Sequence, residues 1–222
     1  MDKSLKFKET ANSKVQFKIN SSIIYNYLRK KGLISRIEIS KNLNISPSAV
    51  SRAINKLIKD GYVIETEKIV TKIGKRPMLL KVNPDFGYVL GINLGETNLS
   101  ATITDFCERP IESYSGFKIS NSENISNQLI NEIKQIFKKM ELTENIDRNK
   151  VKAICLGIPA TVDHNSGKIK SAPLFENWKK INFKNVIREE FKIPVFVDND
   201  VNLSALGEKK FGIAKNYNYC YF

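Results

Sequence analysis

The sequence predicts two domains of different fold class: a winged helix-turn-helix domain of the α+β class, followed by an α/β domain with a mixed sheet. Three observations indicate this. A helix with a clear start and with one apolar and one basic face begins at Ser46. Two strand-like segments with a basic connection follow it, between Tyr62 and Val82. Beyond residue 87 the periodicity reads hairpin, third strand, helix, strand, helix, strand, which is typical of α/β domains.

Charge is divided unevenly along the chain. Residues 1–86 contain 18 Lys and Arg against 7 Asp and Glu, whereas residues 87–222 contain 18 against 16. A strongly basic domain joined to a nearly neutral one indicates that only the first binds a polyanion. We therefore divide the chain into a flexible basic N-terminal arm at 1–20, a winged helix-turn-helix domain at 21–83, a linker at 84–87 and an α/β domain at 88–222.

Three further features predict a cytoplasmic protein. The cysteines Cys107, Cys155 and Cys220 are scattered and odd in number, which is typical of thiols in a reducing compartment. The sequence has no apolar run of about 18 residues, the length that a membrane-spanning helix needs. Its N-terminus is charged and polar and lacks the apolar core of a signal peptide.

The helix from Ser46 to Lys59 is the best defined element of the basic domain. Ser46 can cap its first turn, and Pro47 fits the first helical position, where a missing N–H costs nothing. The face opposite Val50 and Ile54 is polar and basic, so it can lie in a DNA major groove with Arg and Asn at base edges. The residues of this helix that we assign to DNA contact are Ser46, Ser48, Ser51, Arg52, Asn55, Lys56 and Lys59. The alternative for this helix alone is an ordinary solvated face.

The preceding segments favour DNA binding over that alternative. A first amphipathic helix around Ile24 and Leu28 is expected to end near Gly32. A second helix starts at Ser35, where Glu38 completes a capping-box pattern. The apolar positions of this second helix are Ile37, Ile39 and Leu43. A short turn then leads into the Ser46 helix, so the two helices form a helix-turn-helix.

A β-wing is predicted after the Ser46 helix. Its strands begin at Tyr62 and Met78, and Gly74 lies in the basic connection between them. Such a wing can reach phosphates or the minor groove beside the recognition helix. The wing residues assigned to DNA contact are Lys72, Lys75 and Arg76. The alternative is a winged-helix module that binds another protein.

The second domain is predicted to open with a hairpin around the turn Gly95–Asn98. Its expected elements are strands at Tyr88–Leu94, Leu99–Phe106 and Ile111–Ile119, a helix at Ile125–Met140, a strand at Val151–Ile158, a helix at Phe183–Phe191, a strand at Pro194–Val197, a helix at Leu203–Phe211 and a strand from Tyr217. The single histidine, His164, lies in a turn-rich loop. We expect it to be solvated, because a metal site would need partner ligands.

Three segments of this domain resemble the ROK family of repressors, open reading frames and sugar kinases. They are GINLGETNLSATITD at 91–105, LGIPATVDHNSGKIKSAP at 156–173 and VFVDNDVNLSALGEKKFG at 195–212. These segments are similar to the family's first phosphate-loop hairpin, its central loop and its catalytic-loop segment. With the winged helix that ends in GKRP, the chain from about residue 15 resembles the family's sugar-responsive transcription factors. The resemblance implies an actin-like ATPase fold (RNase H-like) of two lobes with a sugar in the cleft, only partly contained in this chain.

The resemblance also implies that the nucleotide site is degraded. In the family's sugar kinases an Asp followed by Gly-Gly-Thr cradles the ATP phosphates. The matching positions here are Asn93, Gly95, Glu96 and Thr97. Asn93 cannot supply the carboxylate that would organise Mg²⁺, and Glu96 places a negative charge where the phosphates would lie. We therefore expect a protein that is not an enzyme.

A sugar-binding set follows from the same resemblance. Asp200 matches the base of the kinases, and without ATP it would accept a hydrogen bond from the sugar hydroxyl. The family often has Asn after Ala-Pro, where this sequence has Leu174, so Asn177 is assigned through a shifted register. The complete set is Gly157, Pro159, Ala160, Asn177, Asn199 and Asp200. For Asn199 and Asp200 the alternative is a strand-end turn with local capping.

These expectations combine into a repressor of sugar-utilisation genes that binds a double-stranded DNA operator and responds to a small sugar, with xylose as the first choice by resemblance. The alternatives are a sugar kinase with an added DNA-binding domain, and a remnant that binds DNA without a sugar response. Compared with the family, the sequence stops within the ROK domain, as a fragment or truncated gene product would. The family's structural zinc site is therefore expected beyond residue 222, with no cofactor in this chain. A homodimer is expected for the full-length protein and is left open for this chain.

Overall fold

The computed structural model describes residues 3–67, 78–118, 124–144 and 146–217. The chain divides into two units, Met1–Phe86 and Gly87–Phe222. Within the described ranges, no helix is long and apolar enough to cross a membrane.

The first unit consists of three helices and a small antiparallel sheet. Its elements are α1 (Lys3–Lys31), β1 (Ile34–Ser35), α2 (Arg36–Leu43), α3 (Pro47–Lys59), β2 (Val63–Glu67) and β3 (Met78–Val82). Strand β3 is central, and β1 and β2 pair with it antiparallel on either side. The predicted winged helix-turn-helix is confirmed. The sequence pattern does not reveal β1, because two residues are too few to show an alternation.

The prediction of a flexible arm at 1–20 is wrong. Helix α1 runs without a break from Lys3 to Lys31, so the arm and the first predicted helix are one element. Ile24 and Leu28 in its second half are completely buried. The first half is polar and has no apolar face that a pattern could reveal. Its Lys, Glu and Gln residues nevertheless have good helix propensity, which is consistent with continuous helix.

The predicted helix starts of the helix-turn-helix are confirmed. The Ser35 hydroxyl accepts from the Glu38 N–H at 3.3 Å, and the Glu38 carboxylate accepts from the Ser35 N–H at 2.9 Å, which completes the capping box. The Ser46 hydroxyl accepts from the Ala49 N–H at 3.4 Å, and Pro47 is the first residue of α3. These caps satisfy N–H groups that have no partner within their own helix.

One core joins the three helices and the small sheet. Its fully buried members include Ile24, Leu28, Ile39, Val50, Ala53, Ile54, Val63 and Leu80. The assignment of Ile37 to the apolar face of α2 is wrong, since its side chain is 77% exposed. Ile37 lies two residues before Ile39, which turns it about 200° round the helix and away from the core.

Residues 84–86 of the predicted linker lie against the first unit, whereas Gly87 belongs to the second. Pro84–Phe86 form a 3-10 helix. The Phe86 ring lies 4.4 Å from the Tyr62 ring, centroid to centroid, and Tyr62 lies edge-on to Tyr25 of α1 at 6.0 Å. The chain that leaves β3 is therefore anchored by aromatic contacts and is not an extended connection.

The second unit is built on a five-stranded mixed sheet. Its elements are β4 (Tyr88–Leu94), β5 (Asn98–Asp105), β6 (Pro110–Lys118), α4 (Ile125–Thr143), β7 (Val151–Ile158), β8 (Thr161–Val162), β9 (Ile169–Ser171), α5 (Phe183–Phe191), β10 (Val195–Asn199) and α6 (Asp200–Lys210). The strand order is β10-β7-β4-β5-β6, with β4, β7 and β10 parallel and β4, β5 and β6 antiparallel. The predicted α/β class with a mixed sheet is confirmed.

The two faces of this sheet differ in character. On one face, alternate residues such as Leu90, Ile92 and Leu156 are buried in a core that also contains apolar residues of α4 and α5. The other face carries small or polar residues, among them Asn93 and Gly157, and α6 lies over it. The hairpin of β8 and β9 is not predicted from the sequence. The predicted strand from Tyr217 falls, beyond Tyr217 itself, outside the described residues.

Candidate nucleic-acid interface and ligand cleft

The structure brings the helical part of the predicted DNA-contact set to one side of α3. Ser46, Ser48, Arg52, Asn55, Lys56 and Lys59 are exposed, and Ser51 is half-buried. The wing residues Lys72, Lys75 and Arg76 lie outside the described residues. The face opposite the core is therefore polar and carries three cations, as DNA contact requires.

One edge of this face is fixed by a residue that the sequence analysis missed. Arg36, the first residue of α2, donates from Nη1 to Asn55 Oδ1 at 2.9 Å and from Nη2 to Glu65 Oε1 at 2.7 Å. No local spacing could reveal this contact, because the partners come from α2, α3 and β2. Asn55 is therefore held by a neighbouring element and does not project freely.

The other edge of the face lies against α1. The Arg52 guanidinium lies over the Phe17 ring at 5.0 Å, and the Lys56 ammonium pairs with Asp60 at 2.6 Å. A groove of about 640 Å³ runs between α1 and α3 and is also lined by Lys14 and Lys18. The cationic surface thus continues from α3 onto α1, in the segment that the sequence analysis treats as an arm.

A cleft of about 320 Å³ lies between the small-residue face of the second sheet and α6. The register aligns Asn93 of β4 with Gly157 of β7, and Gly157 with Asp198 of β10. Asn93, Gly157, Asp200 and the Cys155 thiol all line this cleft. Burial raises the pKa of Cys155. Two residues of the predicted sugar-binding set, Gly157 and Asp200, are therefore brought together.

Gly157 keeps this cleft open. A Cβ at this position would lie 3.1 Å from Leu203 Cδ1, 3.4 Å from Asn93 Oδ1 and 3.5 Å from the Asp200 Cα. These contacts show that β7 and the start of α6 approach closely there, which is a common reason for a glycine within a strand. A larger residue would occupy the space that separates the two polar side chains.

Strand β10 ends at Asn199 and α6 follows it directly, so the helix starts three residues before the predicted start at Leu203. Helix α6 begins at Asp200. Asn199 caps it, because Asn199 Oδ1 accepts from the Asn202 N–H at 3.1 Å, while Asn199 Nδ2 donates to the Ala160 carbonyl at 3.3 Å. The local-capping alternative is thus realised for Asn199. Asp200 lies in the first turn, where the helix dipole stabilises its negative charge.

The structure separates the remaining predicted sugar-binding residues from this cleft lining. Asn177 is exposed in the 3-10 helix Glu176–Lys180, and Pro159 is half-buried. Ala160 is buried and contributes its carbonyl to Asn199. Asn177, Pro159 and Ala160 are not among the residues that line the cleft.

His164 has a partner that the sequence analysis missed. It is exposed, as predicted for a turn residue, but its Nδ1 lies 3.2 Å from Asp198 Oδ2. The other oxygen of Asp198 accepts from the Asn199 N–H and from Asn202 Nδ2. Among the residues described here, no group of three or more His, Cys, Asp or Glu side chains is arranged to hold a metal ion.

The turn between β4 and β5 has the tight geometry predicted for it. The Gly95 N–H donates to the Asn98 carbonyl at 3.0 Å. Glu96 and Thr97 at its tip are exposed. An anion approaching this turn would meet the Glu96 carboxylate, which repels it.

Asp163 in the β8–β9 turn provides a prediction about pH. The Ser166 N–H and hydroxyl both donate to Asp163 Oδ1 at 2.8 Å, and with Lys170 nearby they lower the pKa of Asp163 from 3.8 to about 2. Because the folded-state pKa is depressed, the stabilisation of this turn is fully present above the unfolded-state value and is lost as the pH falls through about 2. An NMR titration of the Asp163 carboxyl carbon should show this midpoint. Ser166→Ala should raise it, and a wild-type midpoint near 3.8 would contradict the assignment.

Comparison with known proteins supports both units. A profile of the ROK family matches residues 89–221, and a profile of winged helix-turn-helix DNA-binding domains matches residues 22–64. The xylose repressor of Caldicellulosiruptor bescii is 33% identical over 196 residues, which are 87% of this chain and 48% of that protein. The DNA-binding transcriptional dual regulator NagC of Escherichia coli is 27% identical over 203 residues, 89% of this chain and 48% of that protein.

A solved structure shows a similar fold over most of the chain. The crystal structure of a ROK family transcriptional regulator, described as a homolog of the E. coli MLC protein, matches with a TM-score of 0.71 at 25% identity. The match covers 88% of this chain and 48% of that one, and this chain spans about half the length of the curated relatives it matches. Because the ROK profile covers more than half of the residues and follows a winged helix-turn-helix, the chain belongs to the ROK family.

Proposed function

We propose that this protein is a transcriptional repressor of sugar-utilisation genes that binds a double-stranded DNA operator through α3 and the wing. The observation that carries this proposal is the exposed face of α3, with Arg52, Lys56 and Lys59, in a winged helix-turn-helix fold. The similarity to a xylose repressor and to an N-acetylglucosamine repressor supports it. Such a protein acts in the cytoplasm, and the full-length protein binds a two-fold operator as a homodimer.

The proposed signal is a small sugar held in the cleft beside Asp200. The cleft contains a carboxylate that accepts and an amide, Asn93, that both donates and accepts, and hydroxyl-rich ligands need both. The sugar would bind one conformation of the repressor more tightly and so shift its population. Xylose is the first sugar to test because of the relatives named for it. The family's zinc site would be outside this chain.

A sugar kinase with an added DNA-binding domain is the alternative. The repressor is favoured because Asn93 replaces the carboxylate that would organise Mg²⁺ and Glu96 is exposed at the tip of the turn where phosphates would lie. A phosphorylation assay with ATP and a panel of pentoses and hexoses separates the two functions. Measurable turnover would contradict the repressor proposal. A repressor that has lost its sugar response would bind DNA and give no saturable heat with any sugar in calorimetry.

The DNA-binding half predicts a specific salt dependence. Lys59→Gln should weaken binding about evenly across DNA sequences and reduce the slope of log affinity against log salt by about 0.9, because one phosphate contact is lost. The measurement is fluorescence anisotropy over a salt series, with a duplex enriched from a random library on the wild-type chain. Lys180→Gln, which removes an exposed cation in the second unit, is the matched control. Equal slopes for both variants would place the DNA on another face.

A further inference from the structure

Asn55 lies on the exposed side of α3 and is held by a cation from another helix. Arg36 Nη1 donates to Asn55 Oδ1 at 2.9 Å, while Arg36 Nη2 donates to Glu65 Oε1 at 2.7 Å. The side chains of Arg36 and Glu65 are 29% and 36% exposed, so the pair is only partly screened by water. One guanidinium thus ties the recognition helix to α2 and to the first wing strand.

The chemistry of the guanidinium fixes which way the Asn55 amide faces. A guanidinium has donors and no acceptor, so the amide atom that faces it must be the carbonyl oxygen. The amide nitrogen, with two hydrogens, is then the atom directed away from Arg36. We propose that Asn55 reads DNA through its Nδ2 donors and that Arg36 is the positioning residue that enforces this orientation.

An amide held in this way discriminates among the four bases. Guanine offers N7 and O6, adenine offers N7 and thymine offers O4 as acceptors in the major groove, whereas cytosine offers only its N4 donor. Nδ2 of Asn55 can therefore pair with guanine, adenine or thymine but not with cytosine. Asn55 thus accepts three of the four bases at the position that it contacts, a conclusion that rests on the proposed function.

Glu65 explains why Arg36 stays with Asn55 when DNA is near. A hydrogen bond between a guanidinium and a carboxylate is assisted by charge and is stronger than a neutral one. Turning Arg36 toward a phosphate would break this bond and leave the Glu65 carboxylate beside the anionic DNA. Glu65 therefore retains Arg36 as a bridge within the protein.

The test compares base preferences of variants on one operator. A duplex is enriched from a random library on the wild-type chain, each position is replaced by the other three bases, and affinities are measured by fluorescence anisotropy. In Asn55→Ala, base changes at the DNA position that Asn55 contacts should no longer alter affinity. This variant therefore identifies that position. At that position the wild type should reject cytosine about tenfold, within the range of one good base contact. Arg36→Ala frees the amide to turn and accept from cytosine N4, so the rejection should fall to about twofold.

A second variant separates positioning from folding and from phosphate contact. Arg36→Lys keeps the charge but replaces the planar fork with a point donor, so it should lose the rejection of cytosine while overall affinity stays near the wild-type value. Circular dichroism and thermal unfolding check that each variant folds. Unchanged rejection of cytosine in Arg36→Ala would overturn the inference. An even loss of affinity for all four bases in Arg36→Ala, restored by Arg36→Lys, would also overturn it, because it would assign Arg36 to a phosphate. If the wild type shows no preferred DNA sequence, the proposed function itself fails.

Discussion

Asp200→Ala is expected to weaken sugar binding about 100-fold while leaving DNA binding unchanged. The Asp200 carboxylate lines the cleft at the first turn of α6, close to Gly157 and Asn93. A hydrogen bond to a charged group contributes about 1.5–3 kcal/mol, and a factor of 100 corresponds to about 2.7 kcal/mol. The measurement is isothermal titration calorimetry of the chain with xylose, glucose and N-acetylglucosamine.

The control for Asp200→Ala must remove the same charge elsewhere in the second unit. Asp147→Ala does so, because Asp147 is exposed and its carboxylate, among the hydrogen bonds described, accepts only a local one from the Asn149 N–H. Its sugar affinity should equal that of the wild type. DNA affinity should be unaffected in both variants, since α3 belongs to the other unit. If Asp200→Ala binds sugar as tightly as the wild type, the ligand does not occupy this cleft.

Local features of this fold could be predicted because short stretches of sequence determine them. The cap at Ser46, the proline at the first position of α3 and the Ser35–Glu38 capping box each depend on residues within one helical turn. The bounds of α5 follow from Phe183, Ile187 and Phe191, which recur at a spacing of four and are all buried. Strand β7 could also be predicted, because a strand in the middle of the parallel part of a sheet is a continuous apolar run.

Contacts between elements could not be predicted, because their partners are far apart in sequence. Arg36 meets Asn55 19 residues later, and His164 in the β8–β9 turn meets Asp198 of β10. Each pair forms only after the elements have packed, so no local sequence pattern predicts the contact. The long helix α1 was hidden for another reason: a polar helix and a polar coil have the same hydrophobic pattern. The sequence therefore does not show that Arg52 and Asn55 have partners on other helices.

The same distinction between local and long-range contacts explains which residues of the candidate cleft could be predicted. Gly157 and Asp200 come together because Gly157 lies on β7 and Asp200 directly follows β10, the strand that pairs with β7 in parallel. The assignment of Asn177 depends on shifting its match to the family's Asn by a few residues, and the 3-10 helix that carries it leaves it exposed. Asn199 has the right chemistry for a ligand, but its amide is used to cap α6 and to hold the Ala160 carbonyl. Residue type alone does not reveal which polar groups are already satisfied.

Trp178→Ala is expected to cost the second unit about 3–5 kcal/mol of unfolding free energy, the usual range for truncating a buried aromatic residue to alanine. The Trp178 side chain is 1% exposed. Its ring stacks on Phe175, with centroids 4.1 Å apart and planes 11° apart, and meets the Phe183 edge at 5.3 Å. Alanine would leave both aromatic neighbours beside a cavity. Denaturant unfolding followed by circular dichroism measures the change.

The contrast with an exposed neighbour makes this prediction specific to packing. Leu174→Ala changes an exposed residue of the same loop and should alter stability by less than about 0.5 kcal/mol, while Trp178→Phe should cost less than Trp178→Ala because it keeps an aromatic ring in the stack. Since total stabilities are about 5–15 kcal/mol, Trp178→Ala should lower the unfolding temperature of the second unit markedly. The first unit has its own core around Ile24 and Ile54, so amide exchange of its buried residues should change little. A loss of unfolding free energy below about 1 kcal/mol for Trp178→Ala would contradict this prediction. It would mean that Phe175 and Phe183 close the space that the indole leaves.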